Sequence, residues 1–159
     1  MQYLQKAEAL VEKLINKGWH ISFAESCTGG MAAAELVAVA DTSKVFDGSF
    51  VTYANEAKIQ YLSVDPQLIE KHGVVSEPVA LAMAQGAAQQ MNAQVAVGIS
   101  GIAGPTGATP GKPVGMVCFG FVIGQRRFAV TKQFGEIGRN QVRLASTEFV
   151  YDTLLENLA

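Results

Sequence analysis

The sequence predicts a three-layer α/β/α sandwich around a mixed sheet, with residues 1–159 forming one domain. Three observations carry that prediction. Helical and strand-like segments alternate through the first two thirds of the chain, as they do around parallel strands. Two strand patterns then follow each other across Gly124-Gln125, which reads as a hairpin and makes the sheet mixed. Hydrophobic residues make up 49% of the chain and charged residues 16%, enough apolar surface for a buried core. No internal repeat or linker-like stretch interrupts it.

Taken in order, Leu4, Ala7, Leu10, Val11, Leu14 and Ile15 recur at helical spacing, and Lys17-Gly18 supplies a stop. Residues 20–25 read as a short buried strand and 29–40 as a helix. Asp41-Thr42-Ser43 is a turn with a cap-forming residue. Phe50, Val51, Thr52 and Tyr53 form a second strand, and Asn55 caps a helix running to Leu62. Asp65-Pro66 opens the next helix, with proline at the favoured first position. Ser76-Glu77-Pro78 opens a helix that is apolar on nearly every side (Val79, Ala80, Ala82, Met83, Ala87, Ala88, Met91), which predicts burial. Residues 95–99 form a strand that feeds the run SGIAGPTGATPGKPVG, residues 100–115. Strands near 116–123 and 127–134 make the hairpin. The last helix places Leu144, Tyr151, Leu155 and Leu158 on one face.

Composition excludes several classes of function. A net charge of −2 offers no footprint for a phosphate backbone, so no nucleic-acid partner is expected. The two cysteines, Cys27 and Cys118, have no CxxC or histidine spacing, and they read as reduced thiols with no metal site and no cofactor. The first residues carry charges throughout and lack a signal-peptide core, and no apolar run reaches membrane-spanning length. The expectation is a cytoplasmic domain with no membrane partner.

Three polar constellations interrupt the bland core. In Glu25-Ser26-Cys27-Thr28-Gly29-Gly30, a strand runs into a helix start, where free N–H groups point at whatever occupies the turn. Ser26 there is either a helix cap or a nucleophile whose developing oxyanion those N–H groups receive. The stretch is neither a G-x-S-x-G elbow nor a GxxxxGK[ST] phosphate loop. In Thr52-Tyr53-Ala54-Asn55-Glu56-Ala57-Lys58, the lysine falls in the first turn of its helix, where the dipole disfavours a cation. Burial would push it further toward the neutral amine, a base of the kind found in Ser–Lys pairs; the alternative is a solvated surface lysine. In residues 98–107, Ser100-Gly101 ends a strand and begins a glycine-rich loop through which a ligand approaches the backbone closely. Open α/β sheets bind ligands at such strand ends. His20 and His72 stand alone and read as structural, and Cys27 reads as a buried inert thiol. Arg139 and Arg143 flank the start of the final helix, where Arg139 either reaches a phosphate or carboxylate or remains a surface charge.

The set A-E-S-C-T-G-G, V-T-Y-A-N-E-A-K, G-V-V-S-E and G-I-S-G-I-A-G-P, in that order and spacing, resembles the CinA carboxy-terminal family from about Leu4 to Leu158. The resemblance implies a compact α/β/α domain and an activity: hydrolysis of nicotinamide mononucleotide to nicotinate mononucleotide and ammonia. Many members follow a molybdopterin-binding-like domain, and a chain without one resembles the stand-alone deamidase. By the same resemblance Ser26 is the nucleophile, Lys58 the base and Tyr53 the third polar member. The substrate would lie against Ser100, Gly101 and the loop after them. Arg139 matches the family's arginine before the last helix. Thr28, Gly29 and Gly30, at a helix start, or Arg139 would hold the nucleotide phosphate. Ala108 and Met116 depart from the family's usual glycine and threonine and bear on substrate fit. No metal or cofactor is implied. The alternative function is a non-catalytic interaction module in competence or DNA-damage responses. A homo-oligomer, a dimer first, is expected through apolar segments such as residues 114–123.

Overall fold

The computed structural model describes residues 1–159. It forms one five-stranded sheet of order β2-β1-β3-β4-β5, from β1 (Ile21–Glu25), β2 (Phe50–Val51), β3 (Val95–Gly101), β4 (Met116–Ile123) and β5 (Arg126–Gln133). β1 is parallel to β2 and β3, and the β3–β4 and β4–β5 pairs are antiparallel, so the sheet is mixed as expected. Side chains alternate across the pleat and divide the core in two. Val95, Val97 and Ile99 of β3 face the larger core with Leu10 and Leu14 of α1 (Leu4–Lys17) and Leu36 of α2 (Met31–Val37). Tyr151 and Leu154 of α6 (Arg139–Asn157) complete that layer. Ala24, Ala96 and Val122 face the other way, against Leu62 of α3 (Asn55–Leu62) and Val79, Met83 and Ala87 of α5 (Glu77–Met91). α4 (Pro66–His72) packs beside α5. These are the three layers predicted. No helix is long and apolar enough to cross a membrane.

Several boundaries differ from the sequence reading, each for a local reason. α2 starts at Met31 because Gly29 and Gly30 adopt left-handed φ values of 58° and 103°. Strand β2 stops at Val51, which leaves Thr52 and Tyr53 as the connector into α3. α5 is not apolar all round in effect, since Gln85 and Gln89 form an exposed edge while Val79, Ala80, Met83, Ala84 and Ala87 are buried. Tyr151 of α6 and Leu158 just past its end are buried, but Leu144 and Leu155 are only half-buried. Val142, Ser146, Val150 and Leu154 fill the inner stripe. Ser146 is tolerated there because its hydroxyl donates to the Val142 carbonyl at 2.7 Å.

A glycine seam sets α5 against the sheet. Gly98 and Gly120 pair across β3 and β4, and a Cβ on either would stand 2.1 Å or 2.4 Å from the Ala80 carbonyl oxygen. The connection from β1 to β2 carries α2 on one face, and the connection from β2 to β3 carries α3–α5 on the other. β1 lies between the two strands so connected, which makes the carboxyl ends of β1 and β3 a topological switch point. Ligand crevices form at such a point.

Candidate active site

Ser26 follows the last residue of β1, and its N–H donates to the Ile99 carbonyl at 3.1 Å. The Gly29 N–H then donates to the Ser26 carbonyl at 3.0 Å and closes a four-residue turn. Its two central N–H groups, those of Cys27 and Thr28, donate to no other residue. Neither Ser26, the cap the sequence offered, nor Thr28 caps α2. Glu25 does so from the strand end. Its buried carboxylate accepts from the Thr28 hydroxyl at 2.6 Å, the Ala32 N–H at 3.0 Å and the Ala33 N–H at 3.1 Å. The helix entry is satisfied without Ser26, and the Ser26 hydroxyl is free to face the cleft.

Lys58 supplies its partner. Ala54 rather than Asn55 is the N-cap of α3, with no side-chain bond, and Lys58 ends the first helical turn. Its side chain is fully buried. Nζ lies 3.2 Å from Ser26 Oγ, 2.7 Å from the Thr52 carbonyl and 3.0 Å from the Tyr53 carbonyl. No carboxylate pairs with it, and burial lowers its pKa from 10.5 to about 8. A neutral amine has two N–H donors and one lone pair. Two backbone carbonyls, which only accept, take the two donors. The lone pair is left facing the Ser26 hydroxyl.

Both groups line a cleft of about 300 Å³ together with Cys27, Tyr53, Asn55, Ser100, Gly101, Ala103, Thr106 and Arg139. Ser100 forms part of its wall, and its hydroxyl donates to the carbonyl of Val74, another lining residue, at 2.8 Å. Tyr53 touches Lys58 only through its carbonyl. Its side chain is largely exposed, and its hydroxyl accepts from Arg139 at 3.2 Å. The other arm of Arg139 donates to the Gly104 carbonyl at 2.8 Å. Thr28, Gly29 and Gly30 stand outside the lining. Thr28 is fully buried behind it, and its carbonyl accepts from Arg143 at 3.3 Å.

Other groups fall into place around this pair. Burial, first of all, pushes the Cys27 thiol up to about 11; among the surrounding charges Glu25 raises it, and Arg143 and Arg139 lower it. Such a thiol is a poor nucleophile at neutral pH. The Thr52 hydroxyl is the one buried side-chain polar atom without a hydrogen-bond partner. His20 pairs with Asp47 at 2.6 Å, and neither His20 nor His72 lines the cleft. No group of three His, Cys, Asp or Glu side chains comes together as a metal centre. Glu25 and Arg143 are the supports that sequence reasoning passed over. Asn55 also lines the cleft, although its position had suggested only a cap. The signal for Asn55 lay in its motif, three residues before Lys58 on the same helix face.

The fold and the cleft define a three-layer α/β domain with a serine and a buried lysine at the carboxyl ends of parallel strands. The chain belongs to the CinA C-terminal domain family, whose model matches residues 4–158. A CinA-like protein of Mycobacterium tuberculosis is 47% identical over 152 residues, covering 96% of this chain and 35% of that protein. A putative competence-damage inducible protein of Symbiobacterium thermophilum is 54% identical over 112 residues, 70% of this chain and 26% of that protein. The chain thus spans about a third or less of these curated relatives. A competence-damaged protein (CinA) superfamily structure from Klebsiella pneumoniae superposes with a TM-score of 0.94 at 33% identity, covering 99% of this chain and 98% of that one. Another from Escherichia coli has a TM-score of 0.91 at 36% identity, covering 94% and 87%.

Proposed function

We propose that this chain is an amidohydrolase acting on nicotinamide mononucleotide, with Ser26 as nucleophile and Lys58 as its base. The observation that carries the reading is the Lys58 environment. A fully buried amine spends two donors on carbonyls and turns its remaining position to a hydroxyl 3.2 Å away. Structural lysines seldom sit so deep without a counter-charge, whereas a serine nucleophile needs such a base.

The chemistry follows from those positions. Lys58 takes the Ser26 proton as Oγ attacks the carboxamide carbon and the carbonyl electrons move to oxygen. The N–H of Cys27, which lines the cleft, receives that oxyanion. The protonated lysine passes its proton to the leaving nitrogen, the carbon–nitrogen bond breaks, and ammonia departs. Water, deprotonated by the same lysine, then attacks the acyl ester and releases nicotinate mononucleotide and free Ser26. Arg139 lies on the cleft lining with no carboxylate partner, bonded only to a carbonyl and a phenol. It is therefore the site for the phosphate, and its contact makes Tyr53 a holder of that arginine. The cleft volume is at the small end of the range for small-molecule sites and suits one mononucleotide.

The test is ammonia release from nicotinamide mononucleotide by Ser26→Ala, beside nicotinamide and simple amides as alternative substrates. Turnover should vanish while the thermal midpoint stays within about 2 °C of the parent, since the Ser26 hydroxyl caps no helix. Retained turnover in that variant refutes the covalent scheme. Turnover by the parent of another amide only would move the reading to that substrate.

A further inference from the structure

We propose that Arg143 is a positioning residue for the oxyanion step: it holds the nucleophile turn from behind and offsets the Glu25 charge there. This rests on the serine mechanism above. Arg143 stands on α6, far along the chain from the turn, yet its Nε donates to the Cys27 carbonyl at 2.9 Å and one terminal nitrogen to the Thr28 carbonyl at 3.3 Å. The other terminal nitrogen is held by Asn140 Oδ1 at 3.0 Å. The guanidinium thus grips two successive peptide units with a braced fork.

A trans peptide points its carbonyl and the next N–H in opposite directions. With the Cys27 carbonyl fixed on Arg143, the Thr28 N–H is turned away from the guanidinium. With the Ser26 carbonyl fixed on the Gly29 N–H, the Cys27 N–H is fixed in turn. The turn's first three carbonyls, those of Ser26, Cys27 and Thr28, are thereby occupied, and the N–H groups of Cys27 and Thr28 are left over. Gly29 permits the approach, for a Cβ there would lie 3.3 Å from the Arg143 terminal nitrogen.

Charge makes the same point. The Glu25 carboxylate holds the entry of α2 and places a negative charge beside the nucleophile, which disfavours a second negative charge on a substrate oxygen. Every acceptor of Arg143 is a neutral carbonyl or amide, and it forms no ion pair. No ion pair localises its charge, which acts on the turn against that of Glu25. An oxyanion forming on the N–H side of the turn would feel that charge through the peptide units Arg143 holds.

The experiment compares the parent, Ser26→Ala, Arg143→Met and Arg143→Lys. Each is assayed for ammonia release from nicotinamide mononucleotide and for inhibition by the 3-formyl analogue of that substrate. Ser26 adds to the aldehyde carbon of the analogue to give a tetrahedral adduct. Arg143→Met should lower kcat roughly 100-fold and weaken the aldehyde in parallel, with KM changed less than about twofold. Arg143→Lys keeps the charge but reaches one carbonyl, and should lose roughly tenfold. The acid limb of the pH profile should stay near pH 8, because Lys58 is untouched. A merely structural brace would lower the thermal midpoint without that split between kcat and KM. If Arg143→Met does not fold, Arg143→Lys decides. With an active parent and a dead Ser26→Ala, Arg143 variants within about threefold of parental kcat overturn this inference alone. A folded parent that releases no ammonia overturns both.

Discussion

The sharpest consequence of a buried, unpaired Lys58 is the pH at which the site switches on. Burial moves its pKa from 10.5 to about 8. At pH 7 that raises the neutral fraction from about 0.03% to about 9%, a gain of roughly 300-fold in usable base. The ammonia-release rate, measured as kcat/KM from pH 5.5 to 9.5 at constant ionic strength, should climb with unit slope and level off above about pH 8. It should lie about tenfold below the plateau at pH 7 and about 100-fold below it at pH 6. The substrate phosphate titrates near pH 6, about two units away, and is separable. Stability must follow in step. Between about 8 and 10.5 the unfolded chain holds more protons than the folded one, so folding free energy improves as pH rises through that window. Below it the burial cost is fully present. The parent should gain about 2.5 kcal/mol relative to Lys58→Met between pH 7 and pH 10, read by urea denaturation. A flat rate profile, a limb near pH 6 alone, or an unchanged limb in Lys58→Ala refutes the assignment of Lys58 as the base.

Two further tests address the thiol and the scaffold. Cys27→Ala should keep parental kcat within about threefold, and the parent thiol should alkylate far more slowly than a free cysteine at pH 8, since only about 0.1% of it is thiolate when its pKa is about 11; loss of activity with an intact fold would make Cys27 part of the chemistry. Gly98→Ala should cost at least about 2 kcal/mol by urea denaturation, because its Cβ would stand 2.1 Å from the Ala80 carbonyl oxygen and force α5 off the sheet; a loss below about 0.5 kcal/mol would mean that α5 shifts freely.

What the sequence could reveal depended on how far apart the cooperating residues lie. The strands were legible because β3 and β4 are short, nearly unbroken apolar runs bounded by turn residues and β1 alternates, and the site region was legible because Ser26, Lys58 and Ser100 all fall where a strand ends or a helix begins. The burial of Lys58 was a different matter. α3 has little apolar periodicity, with Asn55, Glu56, Gln60 and Tyr61 exposed, so the pattern did not say which face turns inward. The dipole argument disfavoured a cation in that first turn and so pointed to the base, while the carbonyls that strip its donors come from the connector at residues 52–53. The cap of α2 was not legible, because a serine beside a helix start is a usual cap and a glutamate inside a strand is not. Only the three-dimensional turn folds Glu25 back over Ala32 and Ala33. Arg143 is further beyond local reading, since it acts across 116 residues on carbonyls that carry no side-chain signature. The division is physical. The groups proposed to react stand at element ends and so left a local trace, whereas those proposed to aim them work through backbone atoms, which every residue has and no motif records.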